Sequence, residues 1–235
     1  MHIDILTLFP ALFDGIFTNS ILKRAVQKGL FTVELHDFRN YTEDKHRRVD
    51  DYPYGGEAGM VIKPEPIAAC IDHLKTMRQY DEIIFLTPDA QVLTQSIANE
   101  LSMKTNLLLL CGHYKGIDER IREMYITKEI SIGDFVLSGG ELPAAVLCDA
   151  IVRLIPNVLN DETSALSDSF QYGLLSYPVY TRPYDFRGET VPDVLLSGNE
   201  KLITEWKFQK ALERTQGKRP DILRECETRD YFNFI

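Results

Sequence analysis

The chain has 235 residues, 44% of them hydrophobic, and a formal net charge of −9, so it can bury a core of its own without covalent staples. Its four cysteines, Cys70, Cys111, Cys148 and Cys226, stand singly. That excludes a disulfide framework and a structural zinc site, and it suits a reducing cytoplasm. No apolar run approaches the roughly 20 residues of a membrane span, and no secretion signal opens the chain, so a soluble protein with no membrane partner is expected.

Net acidity argues against a polyanionic partner, but the cations are clustered. Lys45, His46, Arg47 and Arg48 form one group. Residues 198–219 carry Lys201, Lys207, Lys210, Arg214, Lys218 and Arg219 against Glu200, Glu205 and Glu213. Such clusters serve RNA or are simply solvated.

In chain order, β-type runs at 2–8, 31–37, 82–87 and 106–111 alternate with helical patterns near 19–28, 64–78 and 92–102. This alternation predicts an α/β fold with a mostly parallel sheet. The run Asn106 to Cys111 is apolar on both faces, as in a central strand covered on each side. Ligands of such sheets bind at the carboxyl ends of the strands, here Thr87-Pro88-Asp89 and Cys111-Gly112-His113-Tyr114-Lys115-Gly116. A third stretch, Ile132-Gly133-Asp134 through Ser138-Gly139-Gly140, leads into a helix over 141–154. Neither a GxxxxGK[ST] loop nor a GxGxxG after the first strand occurs, so ATP and dinucleotides lack their fingerprints.

From about Asn157 to Ser169 the chain turns polar and aperiodic, as a linker does. Prolines 178, 183 and 192 then break the pattern, and Ser197 and Glu200 have the spacing of a capping box for a C-terminal helix. On that helix Leu202, Ile203 and Trp206 share a face expected to be core, while Lys207, Lys210 and Arg214 share another. The expected division is an α/β domain over 1–156, a linker over 157–173 and a small helical domain over 174–235.

The segments Cys111-Gly-His-Tyr-Lys-Gly-Ile-Asp-Glu-Arg120 and Glu129-Ile-Ser-Ile-Gly-Asp-Phe-Val-Leu-Ser-Gly-Gly-Glu-Leu-Pro143 strongly resemble the bacterial tRNA (guanine-N(1))-methyltransferase family, TrmD. Tyr52-Pro-Tyr-Gly-Gly-Glu-Ala-Gly-Met-Val61, Arg153-Leu-Ile-Pro156, Asp168-Ser-Phe170, Tyr180-Thr-Arg-Pro183 and Val194-Leu-Leu-Ser-Gly-Asn199 extend the likeness in order and spacing over nearly the whole chain. The resemblance implies a SPOUT-class sheet threaded as a deep trefoil knot, S-adenosylmethionine as methyl donor, and a homodimer with its active site between subunits. The implied substrate is the guanosine 3′ of the anticodon, at position 37 in the tRNA anticodon stem-loop.

Methylating N(1) of guanine requires a base for the ring proton and a cation for charge growing on O6. The family motif assigns these roles to Asp168 and Arg153. From the residues alone, Asp168 reads as a solvated linker carboxylate or a helix N-cap, and Arg153 as an arginine that leaves an apolar stretch by snorkelling or by pairing. The resemblance places the donor among Leu86, Thr87, Gly112, Tyr114, Gly116, Ile132, Gly133, Leu137, Gly139 and Gly140. It implies tRNA contacts at Lys45, His46, Arg47, Tyr54, Gly55, Gly59, Ser197, Asn199, Lys207 and Lys210.

Four positions depart from the family pattern. Glu57 stands for a glycine, Ser176 for an aspartate, Glu200 for a histidine, and Lys115 for a glutamate that could help hold Mg²⁺. An ammonium cannot ligate a cation, so that route to magnesium is absent. Two other readings compete: a catalytically silent knotted RNA-binding protein, and a ribose 2′-O-methyltransferase.

Overall fold

The computed structural model describes residues 1–159 and 168–226. The chain divides into two compact units, residues 1–160 and 161–235. Of the linker expected over 157–173, residues 160–167 lie outside the described residues, as does the end of the C-terminal domain from 227 onward.

The first unit is built on a five-stranded sheet. Its strands are β1 (His2–Thr7), β2 (Thr32–Asp37), β5 (Glu82–Val92), β6 (Asn106–Cys111) and β7 (Lys128–Ser131), in the spatial order β2-β1-β6-β5-β7. Every pairing is parallel, with Ile5 opposite both Leu35 and Leu109, and Leu86 opposite Cys111. A short antiparallel pair, β3 (Asp50–Asp51) with β4 (Val61–Ile62), stands apart. The helices are α1 (Ser20–Gln27), α2 (Pro64–Met77), α3 (Gln95–Ser102), α4 (Glu119–Tyr125) and α5 (Glu141–Val152).

Side-chain alternation along the strands divides the core into two layers. Ile3, Ile5, Leu107, Leu109 and Cys111 pack with Phe13 and Phe31, with Leu101 of α3, and with Leu147, Cys148 and Ile151 of α5. Leu6, Leu108 and Leu110 point the other way, onto Ile67, Cys70, Ile71 and Leu74 of α2. The doubly apolar β6 therefore lies where its composition predicts, between two helical layers.

One charged group sits inside the second layer. Asp4 is fully buried, and its carboxylate accepts from His36 Nε2 at 2.6 Å, Arg78 Nη1 at 2.7 Å and Tyr80 Oη at 2.5 Å, with His2 Nε2 at 3.0 Å. Burial alone would push its pKa up; hydrogen bonds from His36 and Tyr80, with the His2 ring close by, outweigh burial and hold it far below the usual carboxylate range.

Several boundaries differ from the sequence expectation. β5 continues to Val92, past a register shift in which Leu86 and Gln91 both face Ile130, so residues 87–90 leave the ladder. The following helix starts only at Gln95, where the Thr94 hydroxyl caps Ile97 N. β7 and α4 went unpredicted because each is short, four and seven residues, and rich in charge. Among the described residues, no helix is long and apolar enough to cross a membrane.

The second unit holds a small hairpin, β8 (Asp185–Phe186) with β9 (Glu189–Thr190), then α6 (Glu200–Lys218) and α7 (Pro220–Cys226). Asn199, not Ser197, caps α6, its Oδ1 accepting from Leu202 N at 3.3 Å. The Ser197 hydroxyl closes the preceding 3-10 turn, donating to Val194 O and accepting from Asn199 N. The expected core face of α6 is also corrected. Leu202 is 47% exposed and Ile203 and Trp206 only half-buried, while Ala211 and Thr215 are buried. Thr215 explains this pattern: its hydroxyl accepts from Leu175 N at 2.9 Å, so the loop before the hairpin docks on the later turns of the helix.

Candidate methyl-donor cavity and the residues around it

Three chain segments converge at the carboxyl edge of β5, β6 and β7: residues 86–89, 112–116 and 132–140. They line a cavity of about 440 Å³, within the range of small-molecule sites. All ten residues that the resemblance places around the donor, Leu86, Thr87, Gly112, Tyr114, Gly116, Ile132, Gly133, Leu137, Gly139 and Gly140, line this one cavity.

The second and third segments are joined where they pass each other. Gly140 N donates to Gly112 O at 2.9 Å, and His113 forms a bridge with Gly139. A Cβ on Gly140 would lie 2.7 Å from Cys111 Cα and 3.0 Å from Gly112 N, both backbone atoms that cannot rotate away. Only glycine permits this approach. Below the crossing, the buried Glu141 carboxylate accepts from the Thr7 hydroxyl at 2.7 Å and lies 2.7 Å from His113 Nε2.

The charged lining is mostly paired. Arg122 contacts Glu129 at 2.7 Å, Asp89 at 3.0 Å and Glu119 at 3.6 Å. The Thr87 hydroxyl, and then Arg122, hold the Asp89 carboxyl below its ordinary value against the effect of burial. Lys115 also lines the cavity, and no ion pair among the described residues involves it. His113, Glu119, Arg122 and Glu141 join the site in addition to the residues expected from the sequence. His113 sits inside the quoted glycine motif, whereas Arg122 was hidden because its partners come from three different elements.

The loop between β3 and β4 reaches the cavity rim through main-chain bonds. Lys115 N donates to Met60 O at 3.0 Å, Ile62 N to Gly116 O at 3.0 Å, and Asp118 N to Ile62 O at 3.0 Å. Gly55 and Gly59 have φ of +93° and +110°, and Tyr54 between them and β3 is wholly exposed. Lys45, His46 and Arg47 project from a tight turn in which Asp44 accepts from His46 N and Arg48 N.

Arg153 is not among the residues that line this cavity. Arg153 is the half-buried C-cap of α5, whose other end carries Gly140. Asp168, Ser197, Asn199, Lys207 and Lys210 belong to the second unit. Asp168 is half-buried; beyond it Ser169 Oγ bonds Ser176 Oγ at 3.0 Å and Ser176 N at 2.9 Å, and Phe170 N donates to Leu174 O at 2.8 Å. The Lys207 ammonium lies 4.9 Å from the centre of the Tyr177 ring, and Lys210 pairs with Glu213 at 2.7 Å.

A glycine-walled cavity with apolar sides, main-chain donors and acceptors and a few fixed charges suits a nucleoside-like ligand better than a phosphate. The described residues include a single His and carboxylate group with metal-ligand spacing, Asp4, Glu34 and His36, and there Arg78 and Tyr80 already occupy the Asp4 carboxylate.

Comparison with known proteins agrees with this chemistry. The family model described as tRNA (Guanine-1)-methyltransferase TrmD matches residues 1–225. A tRNA (guanine-N(1)-)-methyltransferase of Bacteroides thetaiotaomicron is 62% identical over 223 residues, covering 95% of this chain and 99% of its own. Proteins of the same name from Cytophaga hutchinsonii and Porphyromonas gingivalis are 59% and 56% identical, covering 94% and 96% of this chain and 94% and 100% of their own. The chain belongs to the tRNA (guanine-1)-methyltransferase family TrmD, whose SPOUT-type α/β architecture its parallel sheet follows.

Proposed function

We propose that this protein methylates N(1) of the guanosine 3′ of the anticodon, position 37, in cytoplasmic tRNA, and that its cavity holds S-adenosylmethionine. The convergence of three segments, two of them glycine-bearing, on one cavity of suitable size, in a chain of this family, carries the reading. Leu86, Ile132 and Leu137 provide apolar walls for an adenine ring, and the main chain of residues 112–116 and 132–140 comes close enough to read its edges. Bound there, the donor supplies an electrophilic methyl group.

Asp168 takes the proton from guanine N(1), and Arg153 holds the charge that develops on O6. The position of Arg153 supports a site shared between two copies in a homodimer. Pro143 is the last residue of α5 on the cavity wall, and Arg153 follows it by 10 residues, about 15 Å at 1.5 Å per residue, which is beyond the reach of an arginine side chain. The same reading includes the knotted threading of residues 112–140. In the domain division it carries, residues 1–156 bind the donor, 157–173 link, and 174–235 hold the tRNA stem-loop. Lys45, His46, Arg47, Lys207 and Lys210 serve the phosphates, and Tyr54, Gly55, Gly59, Ser197 and Asn199 the loop nucleotides. An anticodon loop presents its bases unpaired, so exposing this edge costs less there than in a duplex.

Magnesium does not fit the described lining. Asp89 and Glu119 are engaged by Arg122, and Lys115 adds a further cation.

The test is transfer of labelled methyl to unmodified tRNA with guanosines at 36 and 37, followed by nucleoside identification. N(1)-methylguanosine at 37, lost in Asp168→Ala and Arg153→Ala variants that still fold and bind donor, is the expected result. Donor and tRNA binding without product identifies a silent RNA binder, and a ribose-methylated product a 2′-O-methyltransferase.

A further inference from the structure

Among the basic side chains lining the cavity, Arg122 is spent on Asp89, Glu119 and Glu129, and His113 faces Glu141. Lys115 takes part in no ion pair or side-chain hydrogen bond among the described residues, although its main-chain N–H is fixed by Met60 O. An unpaired surface lysine normally waves in solvent. This one has its stem laid along the chain: a Cβ at Gly59 would lie 2.9 Å from Lys115 Cγ, 3.3 Å from Cε and 3.6 Å from Cδ. Gly59 has a φ of +110° and no side chain, so the methylenes rest directly against its main chain. The cradle restricts the rotamers of a side chain that would otherwise lose entropy on binding, and leaves a positive charge at the rim without a counter-ion.

We infer that Lys115 is the anion-positioning residue of the cavity, cradled by Gly59, and that it binds the α-carboxylate of the donor's methionine part. This rests on the donor reading above. A carboxylate is the only anionic group on that donor, whose sulfonium and ammonium are both cationic, so an uncompensated lysine can favour the donor only through it. Lys115 thereby selects donors that retain the carboxylate and sets which end of the ligand lies towards Gly59.

The experiment is calorimetric titration of wild type, Lys115→Met and Lys115→Arg with two thioethers, S-adenosylhomocysteine and S-adenosyl-3-thiopropylamine, which lacks only the carboxylate. Thermal melts confirm that the variants fold. Losing a hydrogen bond to a charged group weakens S-adenosylhomocysteine binding by about tenfold or more in Lys115→Met. The decarboxylated compound binds both proteins equally, or the variant slightly better, and Lys115→Arg keeps most of the affinity. Equal losses for the two ligands, or no loss for either, overturn the inference. So does unchanged S-adenosylhomocysteine affinity with a raised KM for tRNA, which assigns the ammonium to a phosphate of the RNA. If wild type binds neither thioether, the donor reading itself falls.

Discussion

His113 Nε2 and Glu141 Oε2 lie 2.7 Å apart beneath the crossing of the two glycine segments, and the second oxygen of the same carboxylate takes the Thr7 hydroxyl. The pair ties the end of β6, the start of α5 and the end of β1 together under the floor of the cavity. Glu141 is 2% exposed, so removing a partner strands polar atoms away from water. His113→Ala is expected to cost about 3 kcal/mol in urea unfolding and to weaken donor binding as the crossing loosens. Glu141→Gln, which keeps the shape and a hydrogen bond to Thr7, should cost less than half as much. Equal losses would show that the carboxylate charge, and not shape or the Thr7 hydrogen bond, carries the pair.

Gly140→Ala puts a methyl group 2.7 Å from the main chain of Cys111. The backbone there is an ordinary helical N-cap with φ of −83°, so strain comes from contact and not from conformation. Destabilisation of about 3 kcal/mol or more is expected from forcing such an overlap, with loss of measurable donor binding. A variant that melts and binds like wild type would show that the two segments can separate freely.

Asp4→Asn tests the buried charge. The folded-state pKa of Asp4 is held below the unfolded value of about 3.9. Its contribution is therefore complete above that pH and fades as the pH falls towards the folded value. The variant should be about 3 kcal/mol less stable than wild type at pH 7, and the gap should narrow in unfolding curves taken below about pH 4. A gap that stays constant from pH 7 to 3 would mean that shape, not ionisation, stabilises the site.

Three buried thiols make a chemical prediction. Burial pushes Cys70 up to about 12, and pushes Cys111 and Cys148 well above their ordinary value. Since the thiolate is the reacting form, iodoacetamide at pH 8 should label these three at least a hundredfold more slowly in native protein than in urea. Peptide mass spectrometry reads each site separately; fast native labelling of any one would place it near an opening.

Much of the architecture follows from the chain itself. The alternation of β1 and the doubly apolar β6 predict a parallel sheet between helical layers, because period and burial are local properties. The glycine motifs at 112–116 and 132–140 likewise mark the strand ends where a ligand can approach. Short charged segments such as β7 and α4 carry too little periodic signal to be seen, and their pairing comes from neighbours distant in sequence. Asn199 takes the cap from Ser197 because the 3-10 turn before it uses the serine hydroxyl first.

Tertiary structure alone decides which charges are spent and which are available. Nothing in the motif around residue 115 distinguishes Lys115 from Arg122. Partners from its own helix and from β5 and β7 neutralise the arginine, while Gly59, 56 positions earlier, holds the lysine and leaves its charge unanswered. Electrostatic pairing and close backbone approach depend on distances between remote segments, and those exist only once the chain has folded.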